Sequence, residues 1–222
     1  MNYNHYNIYN SYNYYNRYKF YNHNMFIVIE GIDGAGCETQ AVNLQKWLKK
    51  ANLPFTFIKY PNYEANVGKF IREFLYNNKD LSPQMQFLLY SLQFLSDREL
   101  IQEMRKNQIV IADRYFSTTL CFQTLEGVEI EKQLRFAKDF GIEVPDMVFY
   151  LNVDPEIAIK RKFGEQKEKN RREKDFDFIR KTYKQYQKLV KNQVWTKWVN
   201  VDGEKGVDEV TKTIFDYIKN KL

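Results

Sequence analysis

A glycine-rich segment near the start of the chain has the spacing of a phosphate-binding loop. The segment GIDGAGCET runs from Gly31 to Thr39, and Gly31 and Gly36 match the glycines of the pattern G-x-x-x-x-G-K-[ST]. In that pattern the backbone N–H groups surround phosphates, the lysine neutralises their charge and the last hydroxyl holds Mg²⁺. Here Cys37 takes the lysine position and Glu38 the hydroxyl position. The segment therefore predicts nucleotide binding without the usual loop cation.

Cys37 and Glu38 change the electrostatics of this loop. A thiol at a helix N-terminus has a lowered pKa, but a thiolate would repel phosphate, so we expect a neutral thiol while ATP is bound. Glu38 suits the positive end of the helix dipole and also repels a nearby phosphate. Losing a lysine from a phosphoryl-transfer site costs on the order of a few kcal/mol, unless another cation replaces it. Arg114 and the arginines within residues 161–174 are the candidates.

Three other segments carry residues suited to nucleotide chemistry. Asp113 and Arg114 follow an apolar run, where a guanidinium either binds phosphate bidentately or forms a local ion pair. Phe94 and Arg98 are spaced i, i+4, which fits a platform and a hydrogen-bond donor for a base, or a core phenylalanine beside a surface arginine. The charged run at 161–174 is either a solvated helix face or a mobile lid that brings cations to a phosphate.

Short apolar runs alternate with helical patterns along the chain and must position these groups. The predicted strands are 26–30, 55–59, 108–112, 147–153 and 198–202. Helices are predicted from about Glu38, from Ser82-Pro83, from Asp154-Pro155 and over 207–218. Strands separated by helices form mostly parallel sheets with helices on both faces. We therefore predict a three-layer α/β fold with roughly five strands.

In such sheets ligands bind beyond the carboxyl ends of the strands. We therefore expect one cleft to be lined by the loops after Glu30, Lys59, Ala112 and Val153. Every candidate residue of the glycine segment and of the Asp113-Arg114 pair falls in one of these loops.

Composition narrows the classes of protein that fit. The chain has 222 residues, is 44% hydrophobic and carries a net charge of +6, with only two cysteines. Its apolar runs are too short to span a bilayer, no secretory signal pattern is present, and two cysteines do not indicate a disulfide scaffold. These features predict a cytoplasmic location and no membrane partner. A positive net charge suits the binding of phosphorylated small molecules as well as of nucleic acid. The charge alone does not indicate nucleic acid, and we do not expect a nucleic-acid partner.

Residues 1–24 differ in composition from the rest of the chain, because they consist almost entirely of tyrosine and asparagine. No apolar face can be drawn through them, so we predict a disordered low-complexity extension. Its tyrosines could stack on the bases of RNA. The interpretation that we favour is an over-extended start, with synthesis beginning at Met25.

Taken in order, the motifs resemble those of the thymidylate kinase family of P-loop nucleoside monophosphate kinases. The family pattern F-I-x-x-E-G-x-D-G-x-G-K-x-T-Q is matched by FIVIEGIDGAGCETQ, with the lysine as the clear mismatch. The pattern D-R-Y-x-x-S-x-x-A-Y-Q is matched by DRYFSTTLCFQ, where Thr118, Cys121 and Phe122 replace serine, alanine and tyrosine. The resemblance extends from about Phe26 to the C-terminus. It implies a kinase-like domain over 25–222, with a lid at about 161–174.

The resemblance also implies an activity and its site residues. The activity is transfer of the γ-phosphoryl group of ATP to dTMP with Mg²⁺, by a homodimer. The residues around the ATP phosphates would be Gly31, Ile32, Asp33, Gly34, Ala35, Gly36, Cys37, Glu38 and Thr39. The residues binding dTMP would be Asp33, Pro61, Tyr63, Phe94, Arg98, Arg114, Thr119 and Phe122. The catalytic residues would be Asp33, Arg114, Arg161, Arg171 and Arg172, and Mg²⁺ would be held by Asp113 and Glu173.

Individual roles follow from the same resemblance. Phe94 would stack on thymine and Arg98 would hydrogen-bond its carbonyl edge. Tyr63 occupies a position where other members often carry arginine, beside the acceptor phosphate. Thr119 and Phe122 would line the pocket for base and sugar, and favour deoxyribose over ribose.

Two alternatives to an active thymidylate kinase stay open at this point. A protein with an intact acceptor pocket and a decayed donor loop would bind dTMP without turnover. A kinase with the same loops could also act on another nucleoside monophosphate. The apolar positions Leu88, Leu89 and Leu92 suit a subunit contact or an ordinary buried helix.

Overall fold

The computed structural model describes residues 24–77, 80–164 and 168–222. The described strands are β1 (Met25–Glu30), β2 (Phe55–Lys59), β3 (Ile109–Asp113), β4 (Met147–Asn152) and β5 (Trp198–Asp202). They form one sheet in the order β2-β3-β1-β4-β5, and every neighbouring pair is parallel. The predicted α/β fold is therefore confirmed, with a sheet that is wholly rather than mostly parallel.

Helices connect the strands in these parts of the chain. They are α1 (Cys37–Lys50), α2 (Asn66–Tyr76), α3 (Pro83–Ser96), α4 (Arg98–Met104), α5 (Phe116–Leu125), α6 (Ile130–Asp139), α7 (Pro155–Phe163), α8 (Phe176–Lys191) and α9 (Val207–Lys219). Two of the predicted caps form, because the Ser82 hydroxyl accepts from the N–H of Met85 and the Asp154 carboxylate accepts from that of Glu156. None of the described helices is long and apolar enough to cross a bilayer.

The core lies on both faces of the sheet. All six residues of β1 and all five of β3 are buried, as expected for central strands with helices on either side. Helices α1 and α9 pack on each other, and α5 packs against α3 and α8. This arrangement holds the carboxyl ends of β1 and β3 next to each other, where the loops carrying the candidate residues begin.

One expectation about local structure changes, and one stays untested. On α3, Met85, Leu88 and Leu92 are about half exposed, whereas Leu89 packs beside Ile71 on α2, so only part of the predicted apolar set is available to a partner. The predicted low-complexity extension, residues 1–24, lies outside the described residues except for its last position.

A buried carboxylate joins the end of β1 to two helices. Glu30 is fully buried and accepts hydrogen bonds from the Ser117 hydroxyl at 2.6 Å, the Thr118 hydroxyl at 2.7 Å and the Tyr186 hydroxyl at 2.7 Å. The backbone N–H of Tyr115 adds a longer bond of 3.3 Å. A buried charge is tolerated only when it is compensated in this way. The network ties the residue before the glycine segment to α5 and α8.

We predict that Glu30→Ala lowers the free energy of unfolding by about 3 kcal/mol, because three hydroxyl groups lose their buried acceptor. Urea denaturation of the variant and of Ser117→Ala would measure the effect. Ser117→Ala removes one donor and leaves the carboxylate three partners, so its loss should be about 1 kcal/mol. Equal losses in the two variants would contradict a central role for Glu30.

Candidate functional site

The candidate site is a cavity of about 1240 Å³ at the carboxyl ends of the strands. Its walls include most of the segment Gly31–Thr39 (hereafter the glycine loop), the loop after β2, part of α5, and Glu168, Asn170, Arg172 and Glu173 of the predicted lid. Three of the four predicted loops line it directly. The loop after β4 does not line it; the helix that follows this loop, α7, instead packs behind the glycine loop, where a Cβ on Gly34 would lie 2.1 Å from the Ala158 carbonyl oxygen.

The backbone of the glycine loop depends on its glycines. Gly34 and Gly36 have φ angles of 90° and 96°, a region that favours residues without a Cβ. The Ala35 N–H closes a turn onto the Ile32 carbonyl at 3.0 Å, and α1 begins immediately afterwards. The first N–H groups of a helix have no partner within it, and they point where an anion can bind. The loop therefore keeps the backbone features of a phosphate site.

Cys37 contributes no charge to this site. Its side chain is buried under the loop, and a Cβ on Gly31 would lie 3.2 Å from its sulfur. Burial raises the pKa of the Cys37 thiol, and the nearby Arg114 guanidinium only partly offsets this effect. The lowered pKa expected from the helix N-terminus is therefore wrong, because loss of hydration outweighs the dipole. The thiol is therefore neutral at physiological pH.

Arg114 joins the glycine loop to the start of α5. Its guanidinium donates to the Asp33 carboxylate at 2.6 Å and to the Gly31 carbonyl at 3.0 Å. Burial acts to lower the pKa of Arg114, but Asp33 and the other groups around it, including Glu30, together outweigh burial and the pKa is raised. Its φ of 65° is uncommon for a residue with a side chain, so the surrounding structure holds it in this orientation. The structure thus brings the predicted Asp33 and Arg114 together at the centre of the cavity.

A second cation lies at the start of α1. The Lys59 ammonium is 2.9 Å from Glu38 Oε1 and 3.6 Å from Asp113 Oδ2. Asp113 is buried, and burial raises the pKa of its carboxyl group, against the effects of Arg114 and Lys59. Sequence reasoning did not assign Lys59. The sequence did contain a signal that Lys59 lines the cavity, because it is the last residue of a predicted strand and such residues border the cleft.

The predicted base platform needs correction. Phe94 is only 3% exposed, and its ring packs 4.9 Å from the rings of both Tyr60 and Tyr115, so it belongs to the core. Tyr90, one helical turn earlier on α3, lines the cavity instead. Tyr90 and Phe94 lie on the same face of α3. The hydroxyl of Tyr90 can hydrogen-bond to water in the cavity, whereas the ring of Phe94 is entirely apolar.

Arg98 is also displaced from its predicted place. Its guanidinium donates to the Phe140 carbonyl at 3.2 Å, and the residue does not line the cavity. α3 ends at Ser96 and Arg98 begins α4, so the i, i+4 spacing from Phe94 does not continue on one helix face. The predicted base-binding pair is therefore not formed.

The remaining predicted acceptor residues do line the cavity: Pro61, Tyr63, Thr119 and Phe122. Burial raises the pKa of Tyr63, which therefore offers a neutral hydroxyl where arginine was expected in relatives. Gln123 also lines the cavity and was not predicted. Its carboxamide oxygen is buried and has no hydrogen-bond partner among the described residues. An unpaired buried acceptor of this kind points to a missing donor from a ligand.

The lid arginines separate into different places. Only Arg172 lines the cavity, where it pairs with Glu126 at 2.6 Å. Arg171 lies outside and donates to Asp80 at 3.2 Å. Arg161 donates to the Gly203 carbonyl at 3.1 Å, beyond β5. The catalytic roles of Arg161 and Arg171 stay predictions, and in this structure their positions on α7 and on the lid loop place them against neighbours outside the cavity.

The predicted metal ligands do not form one group. Glu173 pairs with Lys162 at 2.9 Å in the lid, whereas Asp113 faces Lys59 beside the glycine loop. The part of the chain that the structure describes holds no cluster of three or more metal-binding side chains. Mg²⁺ usually needs only one or two carboxylates besides nucleotide phosphates. Asp113, beside the glycine loop, fits that requirement better than Glu173, which is paired with Lys162.

Comparison with known proteins places this geometry in a family. The family model described as thymidylate kinase matches residues 29–214. A thymidylate kinase from Thermoanaerobacter sp. is 31% identical over 203 residues, which are 89% of this chain and 98% of that protein. A thymidylate kinase from Arabidopsis thaliana is 30% identical over 198 residues, covering 88% of this chain and 71% of that protein.

A solved structure supports the same fold. The thymidylate kinase of Candida albicans superposes with a TM-score of 0.69 at 23% identity, over 88% of this chain and 91% of that one. Its similarity concerns the fold, whereas the family model and the sequence relatives cover the loops of the cavity. The chain belongs to the thymidylate kinase family.

Proposed function

We propose that this protein transfers the γ-phosphoryl group of ATP to dTMP, giving dTDP and ADP. The observation that carries the proposal is the Asp33–Arg114 pair at 2.6 Å, which lies between the glycine loop and the acceptor side of the cavity. An acceptor phosphate bound by Arg114 would lie next to the loop that binds ATP. Phosphoryl transfer depends mainly on such positioning and on neutralising charge.

The acceptor pocket suits a pyrimidine deoxynucleotide. Tyr90 would stack on the base, and the unpaired carboxamide of Gln123 would hydrogen-bond its edge. Thr119 and Phe122 line the same wall, and Phe122 places a ring 5.2 Å from Phe178. An apolar ring at this place disfavours the hydroxyl of a ribose, because a buried hydroxyl needs a partner.

Arg114 would supply part of the charge that the loop lacks. Its guanidinium already reaches the Gly31 carbonyl at 3.0 Å and lies beside the neutral Cys37 thiol. Asp113 would hold Mg²⁺, which neutralises phosphate charge when it is bound with ATP, while Glu38 stays paired with Lys59. This assignment keeps Asp113 of the predicted pair and leaves Glu173 with Lys162.

A catalytically impaired nucleotide-binding protein is the second candidate function. Two observations favour it. Cys37 replaces the loop lysine, and the cavity cations Arg114, Lys162 and Arg172 are paired with carboxylates, which offset their positive charge. A kinase of another nucleoside monophosphate is the third, because a carboxamide such as that of Gln123 can both donate and accept. A panel of nucleoside monophosphates as acceptors separates it from the first.

A homodimer and a cytoplasmic location stay predictions. The exposed residues Met85, Leu88 and Leu92 form one stripe on α3 that a second copy of the chain would cover. Light scattering of the purified chain would give its mass in solution.

The function is tested by ADP release from the full chain with Mg·ATP, with and without dTMP. We expect ADP formation that depends on dTMP. Binding of dTMP without ADP formation, together with activity restored by Cys37→Lys, would support the impaired alternative. The absence of both binding and turnover would contradict the proposal altogether.

We predict that Arg114→Ala lowers kcat/KM for dTMP by about 10²- to 10³-fold, because one guanidinium serves both the acceptor phosphate and the loop. Steady-state kinetics would measure this loss. Arg98→Ala is the matched control, since its guanidinium lies outside the cavity, and its kcat/KM should stay within about threefold of the parent. Similar kinetics for the two variants would remove Arg114 from the mechanism.

A second pair of variants tests the base pocket. Tyr90→Leu should raise KM for dTMP at least about tenfold, since stacking on a base contributes about 1–3 kcal/mol, with little change in thermal stability. Phe94→Leu should lower the free energy of unfolding by about 1–2 kcal/mol and leave KM for dTMP nearly unchanged, because Phe94 belongs to the core. The reverse pattern would reinstate Phe94 as the base platform.

A further inference from the structure

The position of Lys59 carries an inference about the missing loop cation. Lys59 ends β2, a strand separated from β1 by β3, yet its ammonium lies 2.9 Å from Glu38 in the first turn of α1. Its side chain is 45% exposed and lines the cavity. Lys59 thus brings a positive charge to the end of the glycine loop from a strand that is not adjacent to β1.

The two partners of Lys59 mark where that charge lies. Glu38 takes the position at which the loop pattern has a hydroxyl, and Asp113 ends the strand next to β1. In P-loop proteins these two positions face the β and γ phosphates through the bound metal. The ammonium of Lys59 is therefore within the region where the phosphates of a nucleotide bound on α1 would lie.

Other cavity cations are less suited to this place. The cations among the described residues that line the cavity are Lys46, Lys59, Arg114, Lys162 and Arg172. Lys46 lies eight residues after Glu38 on α1, or about 12 Å along the helix axis. Arg114 is only partly exposed and is held by Asp33, while Lys162 pairs with Glu173 and Arg172 pairs with Glu126. Lys59 alone among them contacts the first turn of α1.

Stability does not explain this arrangement. Glu38 and Lys59 are both about half exposed, and exposed ion pairs add little to the free energy of folding. The contact to Asp113 is loose at 3.6 Å, so a phosphate oxygen can compete for the ammonium. A lysine has three donors on a flexible stem, which allows it to exchange one acceptor for another.

We propose that Lys59 is a catalytic residue that replaces the loop lysine, contacting the phosphates of ATP from β2. In the reaction an oxygen of the dTMP phosphate forms a bond to the γ phosphorus, while the bond from that phosphorus to ADP breaks. Lys59 remains an ammonium throughout and neutralises charge on the transferred group and on ADP. The inference rests on the proposed function and identifies the cation that this chain uses for it.

The experiment compares Lys59→Met with Lys132→Met in the full chain. Lys132 pairs with Glu129 at 3.0 Å on the exposed surface of α6, so its variant removes a similar ion pair far from the cavity. We expect Lys59→Met to lower kcat about a hundredfold or more and to weaken ATP binding at least tenfold, with dTMP affinity unchanged. Lys132→Met should leave all three quantities within twofold.

A rescue variant separates catalysis from a structural effect. The double variant that carries both Cys37→Lys and Lys59→Met should have a kcat at least tenfold higher than that of Lys59→Met, because it returns an ammonium to the loop. Lys59→Arg should keep more than a tenth of the parent kcat, and it serves the same purpose if the double variant does not fold. If Lys59→Met keeps ATP affinity and kcat within threefold of the parent, the inference is wrong.

The outcome also distinguishes this inference from the proposed function. A parent chain without dTMP-dependent ADP formation contradicts the proposed function. In that case ATP titration still tests Lys59, since a tenfold weaker affinity of Lys59→Met supports its contact with phosphates. An unchanged ATP affinity then overturns the inference as well.

Discussion

The geometry of the cleft depends on the buried carboxylate of Glu30. It is the last residue of β1, immediately before the glycine loop, and its acceptors are filled by hydroxyl groups of α5 and α8. Two of these donors, Ser117 and Thr118, follow Arg114 by only a few residues. The Glu30 carboxylate therefore sets the position of the glycine loop relative to the Arg114 guanidinium, because a buried carboxylate cannot lose its hydrogen-bond partners cheaply.

The fold was largely predictable because its strands are simple. Central strands buried on both faces read as continuous apolar runs, and the predicted bounds agree with the observed ones to within one residue. Helices α2, α4, α5, α6 and α8 were not predicted. In α5 the buried face includes polar residues such as Ser117, Thr119 and Gln123, so no apolar period marks it, whereas α2, α6 and α8 do have an apolar face that the sequence analysis did not use.

The site was predictable at the level of loops and less so at the level of side chains. Parallel topology brings the glycine loop, Pro61 and Arg114 together without further information. Spacing cannot distinguish Tyr90 from Phe94, because both lie on one face of α3 and only packing decides which ring enters the core. Ion-pair partners from distant segments, such as Glu126 for Arg172, are likewise set by tertiary structure.

The close approach of Gly34 to α7 has a mechanical consequence. Since no side chain separates the loop backbone from Ala158, the donor loop and α7 form one rigid support. Lys162 stands in the last turn of that helix, so its distance from the loop is set by the scaffold. The ion pair of Lys162 with Glu173 at 2.9 Å extends this support to a residue that lines the cavity.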